Sequence, residues 1–253
     1  MKFKVLFDKF LFMCSVPKCV CCGSKLLYGD RGLCADCLKV YNEHKKRNCP
    51  RCAKILSECF CSSEYLAAHG IKHTVKLFRY AKTEESMPSN YLIYSLKQDN
   101  RNDVIDFLAE ELTAAITNSI NLKKGKYVIT SVPRRQRAIA NYGFDHAEVL
   151  AERVAKALGV EYRQFLVSKS KKPQKSVVGE SRLYNAKFDY KSKKDISLKG
   201  YTVIVIDDII TTGASMSSSA TLIKGYKPSR VIAAALGIAY KDRNTKQIYS
   251  AFD

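Results

Sequence analysis

At 253 residues, with 46% hydrophobic and 26% charged side chains, the chain can hold one large domain, or one domain with a small appendage, and is neither disordered nor fibrous. Its 43 Lys and Arg against 24 Asp and Glu leave a formal charge of +19, which calls for an anionic partner: nucleic acid, phosphorylated metabolites or an acidic membrane face. No uninterrupted apolar run reaches membrane-spanning length, so an integral membrane protein is excluded and the cytoplasm is the expected location.

The opening MKFKVLFDKFLFMCSVP looks like a leader, yet Asp8 and Lys9 interrupt it. Phe3, Leu6, Phe7, Phe10 and Met13 fall at helical spacing, so a short amphipathic helix is expected there. All ten cysteines lie between Cys14 and Cys61. Cys19/Cys22, Cys34/Cys37 and Cys49/Cys52 are C-x-x-C pairs, and Cys59/Cys61 is a tighter C-x-C. A C-x-x-C turn aims two thiolates at one tetrahedral ion, and two such turns close a structural site. Eight ligands suggest two Zn2+, with Cys19, Cys22, Cys34 and Cys37 on one and Cys49, Cys52, Cys59 and Cys61 on the other. Interleaved pairing stays open, as does Cys21 in place of Cys22; Gly23 favours Cys22 because a small residue there permits a tight knuckle. A disulfide framework would need an oxidising compartment, and four consecutive pairs exceed what a redox site uses.

From His73 the pattern changes. HTVKLFRYA has strand alternation; helices are predicted over Asn90 to Lys97 and Asp103 to Asn118, the second with Asp103 placed to cap it. YVITSVP reads as a strand. In GFDHAEVLAERVAKALG, Asp145 and Glu148 fit a capping box ahead of an apolar stripe. A strand from Tyr162 to Val167 follows, then YTVIVID, a helix after Gly213, and the apolar run RVIAAALGIA. Continuously apolar strands alternating with helices predict a doubly wound α/β fold around a parallel sheet. The expected division is 1–66 for the N-terminal helix and a double zinc ribbon, and 67–253 for the α/β domain. Within the latter, 163–199 is a basic excursion with eleven Lys and Arg against three acidic residues. It is read either as a solvated loop or as a phosphate-binding flap.

VIVIDDIITTGAS, residues 203–215, drives an apolar strand into two carboxylates and then a hydroxyl-rich turn. In an open parallel sheet, ligands sit beyond the carboxyl ends of the strands. Asp207 and Asp208 reach that edge, and Thr211, Thr212, Gly213 and Ser215 open the next helix, where free N–H groups suit a phosphate. The plainer alternative is a Ser/Thr-capped helix beside a solvated acidic pair.

The stretch resembles the loop of type I phosphoribosyltransferases that binds 5-phosphoribosyl 1-pyrophosphate (PRPP). The resemblance implies that Asp207 and Asp208 hold the ribose hydroxyls, that Thr211, Thr212, Gly213, Ala214 and Ser215 cradle the 5′-phosphate, and that Mg2+ arrives mainly on the ligand's own oxygens. Together with the cysteine pairs, the chain is similar to the ComF family of competence proteins. The matching positions are Ser95-Leu96-Lys97, Val132-Pro133, Arg137, Gly143-Phe144, Gln174, Arg182, Asn185 and Phe188. Asn141, Tyr142, Asp145 and His146 depart from the family's R-R and N-Q around Gly143, so cations expected there are missing.

The resemblance implies a PRPP-binding protein in DNA uptake that handles single-stranded DNA, with competence or DNA-processing proteins as partners. Tyr184, Phe188 and Tyr190 are candidates to stack on bases or to pack beneath the excursion. The alternative is an active phosphoribosyltransferase in nucleotide salvage. Hypoxanthine-guanine transferases carry an Asp where Thr211 stands, so no general base declares itself. His146 is the nearest catalytic candidate, against the commoner reading of a polar cap or surface residue.

Overall fold

A computed structural model describes residues 15–81, 86–169, 188–192 and 196–239. The predicted N-terminal helix, Cys14 and most of the basic excursion, including Gln174, Arg182, Tyr184 and Asn185, lie outside them.

Five strands form one parallel sheet in the order β1-β7-β6-β2-β3: β1 Thr74–Arg79, β2 Lys126–Ser131, β3 Glu161–Tyr162, β6 Tyr201–Ile210 and β7 Arg230–Ile238. Helices cover both faces, as the apolar strands require. Against one face pack α3 (Met87–Gln98), α4 (Asn102–Ser119) and α6 (His146–Leu158), burying Leu92, Leu108 and Leu150 over Ile129, Ile204 and Ile232. Against the other lie α2 (Glu64–Ala68) and α7 (Ala214–Lys224), with Leu66, Met216 and Ile223 over Val203, Val205 and Val231.

Two local expectations are corrected. The helix at Asp103 starts one residue earlier, so Asp103 sits in its first turn; its carboxylate instead accepts from Gly32 N at 3.0 Å and from Arg101 at 2.7 Å. The strand expected over Tyr162 to Val167 divides. Glu161–Tyr162 closes the parallel sheet, and β4 (Leu166–Ser168) pairs antiparallel with β5 (Phe188–Tyr190). Gln164 stands at the break, where its side chain bonds Thr130 Oγ1, Ser131 Oγ and Leu166 N in place of a strand neighbour.

The cysteine-rich segment packs onto the α/β unit. Helix α1 (Ala35–Lys45) buries Tyr41 against Phe78 and Phe107, and Leu26 and Leu33 join the core under α3 and α4. Arg31–Glu110 and Lys45–Glu111 ion pairs border this contact. Part of the apolar burial that so small a segment lacks by itself is therefore supplied by its neighbour.

Candidate functional site

Strand β6 lies in the middle of the sheet and continues past the aspartates to Ile210, because β7 keeps pairing with it as far as Ile210↔Ile238. The two carboxylates are thus held on a strand rather than on the loop beyond it, and successive side chains face opposite ways. Asp207 is half-buried, and its Oδ1 accepts from Asp208 N at 2.9 Å. Asp208 is buried, with Oδ2 at 2.6 Å from Lys97 Nζ and 3.1 Å from His146 Nε2.

The three groups come from separate elements. Lys97 occupies the last turn of α3, and His146 is the first residue of α6. Asp145 caps α6, accepting from Ala147 N at 3.0 Å and Glu148 N at 3.3 Å as its spacing predicts; it also takes Arg134 N at 2.8 Å. One aspartate thereby ties the loop after β2 to the helix that presents His146. The expectation of a surface or capping histidine is corrected, since His146 is 7% exposed and its neighbour is the cap.

Burial alone would raise the Asp208 carboxyl, but Lys97 and His146 outweigh it and hold the group well below the usual carboxylate range. Asp207 moves the other way, raised by burial and then by the negative charge of Asp208. Two adjacent carboxyls in one site are thus set apart in proton affinity. Lys97 is pushed up, Asp208 outweighing the opposing effect of its burial. Two nitrogens of this region, His146 Nδ1 and Arg134 Nη1, are buried without a hydrogen-bond partner among the described residues. The Arg134 guanidinium lies 4.7 Å over the Tyr142 ring, at the end of a helix, α5 (Gln136–Tyr142), that the sequence reading did not foresee.

Beyond Ile210 the chain turns into α7. Gly213 has φ +85, and a Cβ there would lie 3.0 Å from Leu66 Cδ2, so both backbone and space call for glycine. Thr211 is exposed, Thr212 and Ser215 are half-buried, and Thr212 Oγ1 accepts from Ala214 N at 3.3 Å. The turn thus presents hydroxyls and a helix entrance directly after the acidic pair.

In the cysteine segment the two sequential sets, Cys19, Cys22, Cys34, Cys37 and Cys49, Cys52, Cys59, Cys61, each bring four Sγ atoms within 4.8 Å of one another. Zinc bonds of about 2.3 Å imply a tetrahedral edge of about 3.8 Å. The Sγ–Sγ separations of 3.6 Å for Cys22–Cys34 and 3.4 Å for Cys52–Cys59 approach that edge, so each set could hold a metal ion. The first halves of the two sets repeat at an offset of thirty residues (19 to 49, 22 to 52): Cys19 N bonds Ser24 O as Cys49 N bonds Lys54 O, and Gly23 N bonds Cys19 O as Ala53 N bonds Cys49 O. Gly23 and Ala53 both have positive φ, which fits the tight knuckle expected at Gly23.

The basic excursion is described only at its edges. There Tyr190 donates to Leu222 O at 3.0 Å and meets the Tyr226 ring edge-on at 5.1 Å, while Phe188 packs on the core. Both rings are partly buried against the core.

A family model described as a phosphoribosyl transferase domain matches residues 145–251, which span α6, β6, the turn and α7. That segment is similar to a phosphoribosyl transferase domain. It is also 24% identical over 219 residues to the DNA utilization protein YhgH of Escherichia coli K12, covering 83% of this chain and 92% of that protein. The Shigella flexneri YhgH matches equally, at 24% over the same shares. This similarity extends well beyond the matched domain, in agreement with the ComF resemblance drawn from both parts of the sequence. Among solved structures, a hypoxanthine-guanine phosphoribosyltransferase from Bacillus anthracis superposes with a TM-score of 0.38 and 16% identity, over 58% of this chain and 75% of that one. No helix among the described residues is long and apolar enough to cross a membrane.

Proposed function

We propose that this chain is a PRPP-binding, phosphoribosyltransferase-like protein of ComF type that acts in the cytoplasm in DNA uptake, handling single-stranded DNA. The observation that supports it most is the end of β6, where an acidic pair of unequal proton affinity leads straight into a glycine-hinged helix entrance. In this reading Asp207 and Asp208 accept the ribose hydroxyls. The N–H groups opening α7 hold the 5′-phosphate with Thr211, Thr212, Gly213, Ala214 and Ser215. Lys97 guards Asp208 in the free protein; a sugar hydroxyl taking its place on the carboxylate frees the ammonium beside the incoming pyrophosphate. Mg2+ bound with the ligand would supply charge to offset the pyrophosphate. Zn2+ is the metal proposed for both cysteine sets, with residues 1–66 as a metal-braced appendage on the 67–253 domain.

The DNA role rests on the likeness to a DNA utilization protein and on the +19 charge, which zinc thiolates lower only to about +15. The test is to titrate single-stranded DNA at several salt concentrations and, in parallel, to assay pyrophosphate release from magnesium PRPP with candidate bases. Binding with a steep salt slope and no turnover is expected. Rapid release with one base would overturn it in favour of nucleotide salvage.

A further inference from the structure

Lys76 lies in the middle of β1 and is 0% exposed. Its neighbours Val75 and Leu77 enter the core under α4, so Lys76 points from the opposite face of the strand, toward the second cysteine set. There Nζ lies 2.8 Å from Cys59 O, 3.0 Å from Cys61 O, 3.3 Å from Thr74 O and 3.3 Å from Cys59 Sγ. The carbonyls satisfy its donors, but none of these oxygens carries a formal charge. A buried ammonium costs several kcal/mol unless an opposite charge accompanies it. Four thiolates around a divalent ion carry a net charge of −2; Cys52 is exposed, but Cys59 is 1% exposed, so water screens its share of that charge little.

We infer that Lys76 is the counter-charge of the Cys49/Cys52/Cys59/Cys61 metal site, a positioning residue supplied by the sheet of the phosphoribosyl transferase-like unit that ties occupancy of this site to β1. The inference rests on the metal reading of the two cysteine sets and names what the second set requires beyond its four ligands. Outer-shell partners of this kind typically account for about 10- to 100-fold in metal affinity. The Cys61 N–H, 3.3 Å from Cys59 Sγ, adds a second donor to the same sulfur.

The test is zinc removal by a competing chromophoric chelator from the full-length zinc protein and its Lys76→Met variant. Alkylation mapping then assigns each released ion to its cysteine set. Wild type is expected to hold two ions. In Lys76→Met the ion of the second set should be lost at least about tenfold more readily, with the first set unchanged. Equal retention of both ions would overturn the inference, and a wild type that binds no metal would overturn the metal reading beneath it. Cys52→His separates charge from packing, because it lowers the site's net charge from −2 to −1. If charge is the cause, the Lys76→Met loss shrinks in the Cys52→His background, or a variant that failed to fold regains its zinc-bound form. An unchanged loss, or a double variant that stays unfolded, would assign Lys76 to packing and reject the role.

Discussion

Asp208 is where the energetics of the site concentrate, because a buried carboxylate is tolerable only with its partners in place. Replacing Lys97 with Met is expected to cost about 1–3 kcal/mol in denaturant unfolding, between the values for exposed and for buried pairs because Lys97 is partly exposed. Since the Asp208 carboxyl is depressed on folding, its contribution is present above the unfolded carboxylate range and lost as pH falls through the folded value. The Lys97→Met penalty should therefore shrink at strongly acid pH, and a constant penalty would count against the pair. His44 offers a second pH signature. Burial, then the nearby Arg47 charge, push it from 6.5 down to about 4, and Ser89 Oγ meets its Nδ1 at 2.9 Å. Below pH 6.5 the unfolded histidine takes a proton that the folded one refuses, so stability falls from there until pH about 4. Relative to His44→Gln, wild type should lose up to about 3 kcal/mol across that window; parallel pH curves would remove His44 as the cause.

At the scale of elements, β6 and the turn after it were legible because their signal is local: an apolar run, an acidic pair, then hydroxyls and a glycine. The Asp145 cap and the grouping of the cysteines into two sets were legible for the same reason, since each is set by spacing within a few tens of residues. The convergence of Lys97 and His146 on Asp208 was not, although both residues attract notice singly, because it depends on where α3 ends and α6 begins over the sheet. Lys76 is a sharper case. In HTVKLFRYA a lysine at an alternate position reads as solvent-facing, and only the packing of the second cysteine set over β1 buries it. Helix α5 escaped notice because Gln136–Tyr142 has no buried residue to mark a face. Gly213→Ala tests the turn: its φ of +85 and the overlap with Leu66 should cost about 1–3 kcal/mol in thermal or denaturant unfolding and weaken PRPP binding. An unaltered unfolding midpoint would mean that the turn is not held as described.

Over the whole molecule, the cysteine segment and the α/β unit share a core, with Leu26, Leu33 and Tyr41 packed among residues of β1, α3 and α4. Removing metal should therefore lower the unfolding temperature of the entire chain in one transition. Separate transitions, with the α/β unit unaffected by chelation, would show that the shared core does not couple them. The excess positive charge acts on the same scale, drawing anions to the molecule without selecting which anion is bound. On the proposed reading selection falls to the end of β6, and the most direct test of that proposal is calorimetric titration of magnesium PRPP into wild type and Asp207→Asn, the less buried member of the acidic pair. The expected result is magnesium-dependent binding by wild type and at least about tenfold weaker binding by the variant at an unchanged unfolding temperature, a loss of about 1.4 kcal/mol or more. Equal affinity in the two proteins, or no binding by wild type, would contradict a sugar-phosphate site at this strand end.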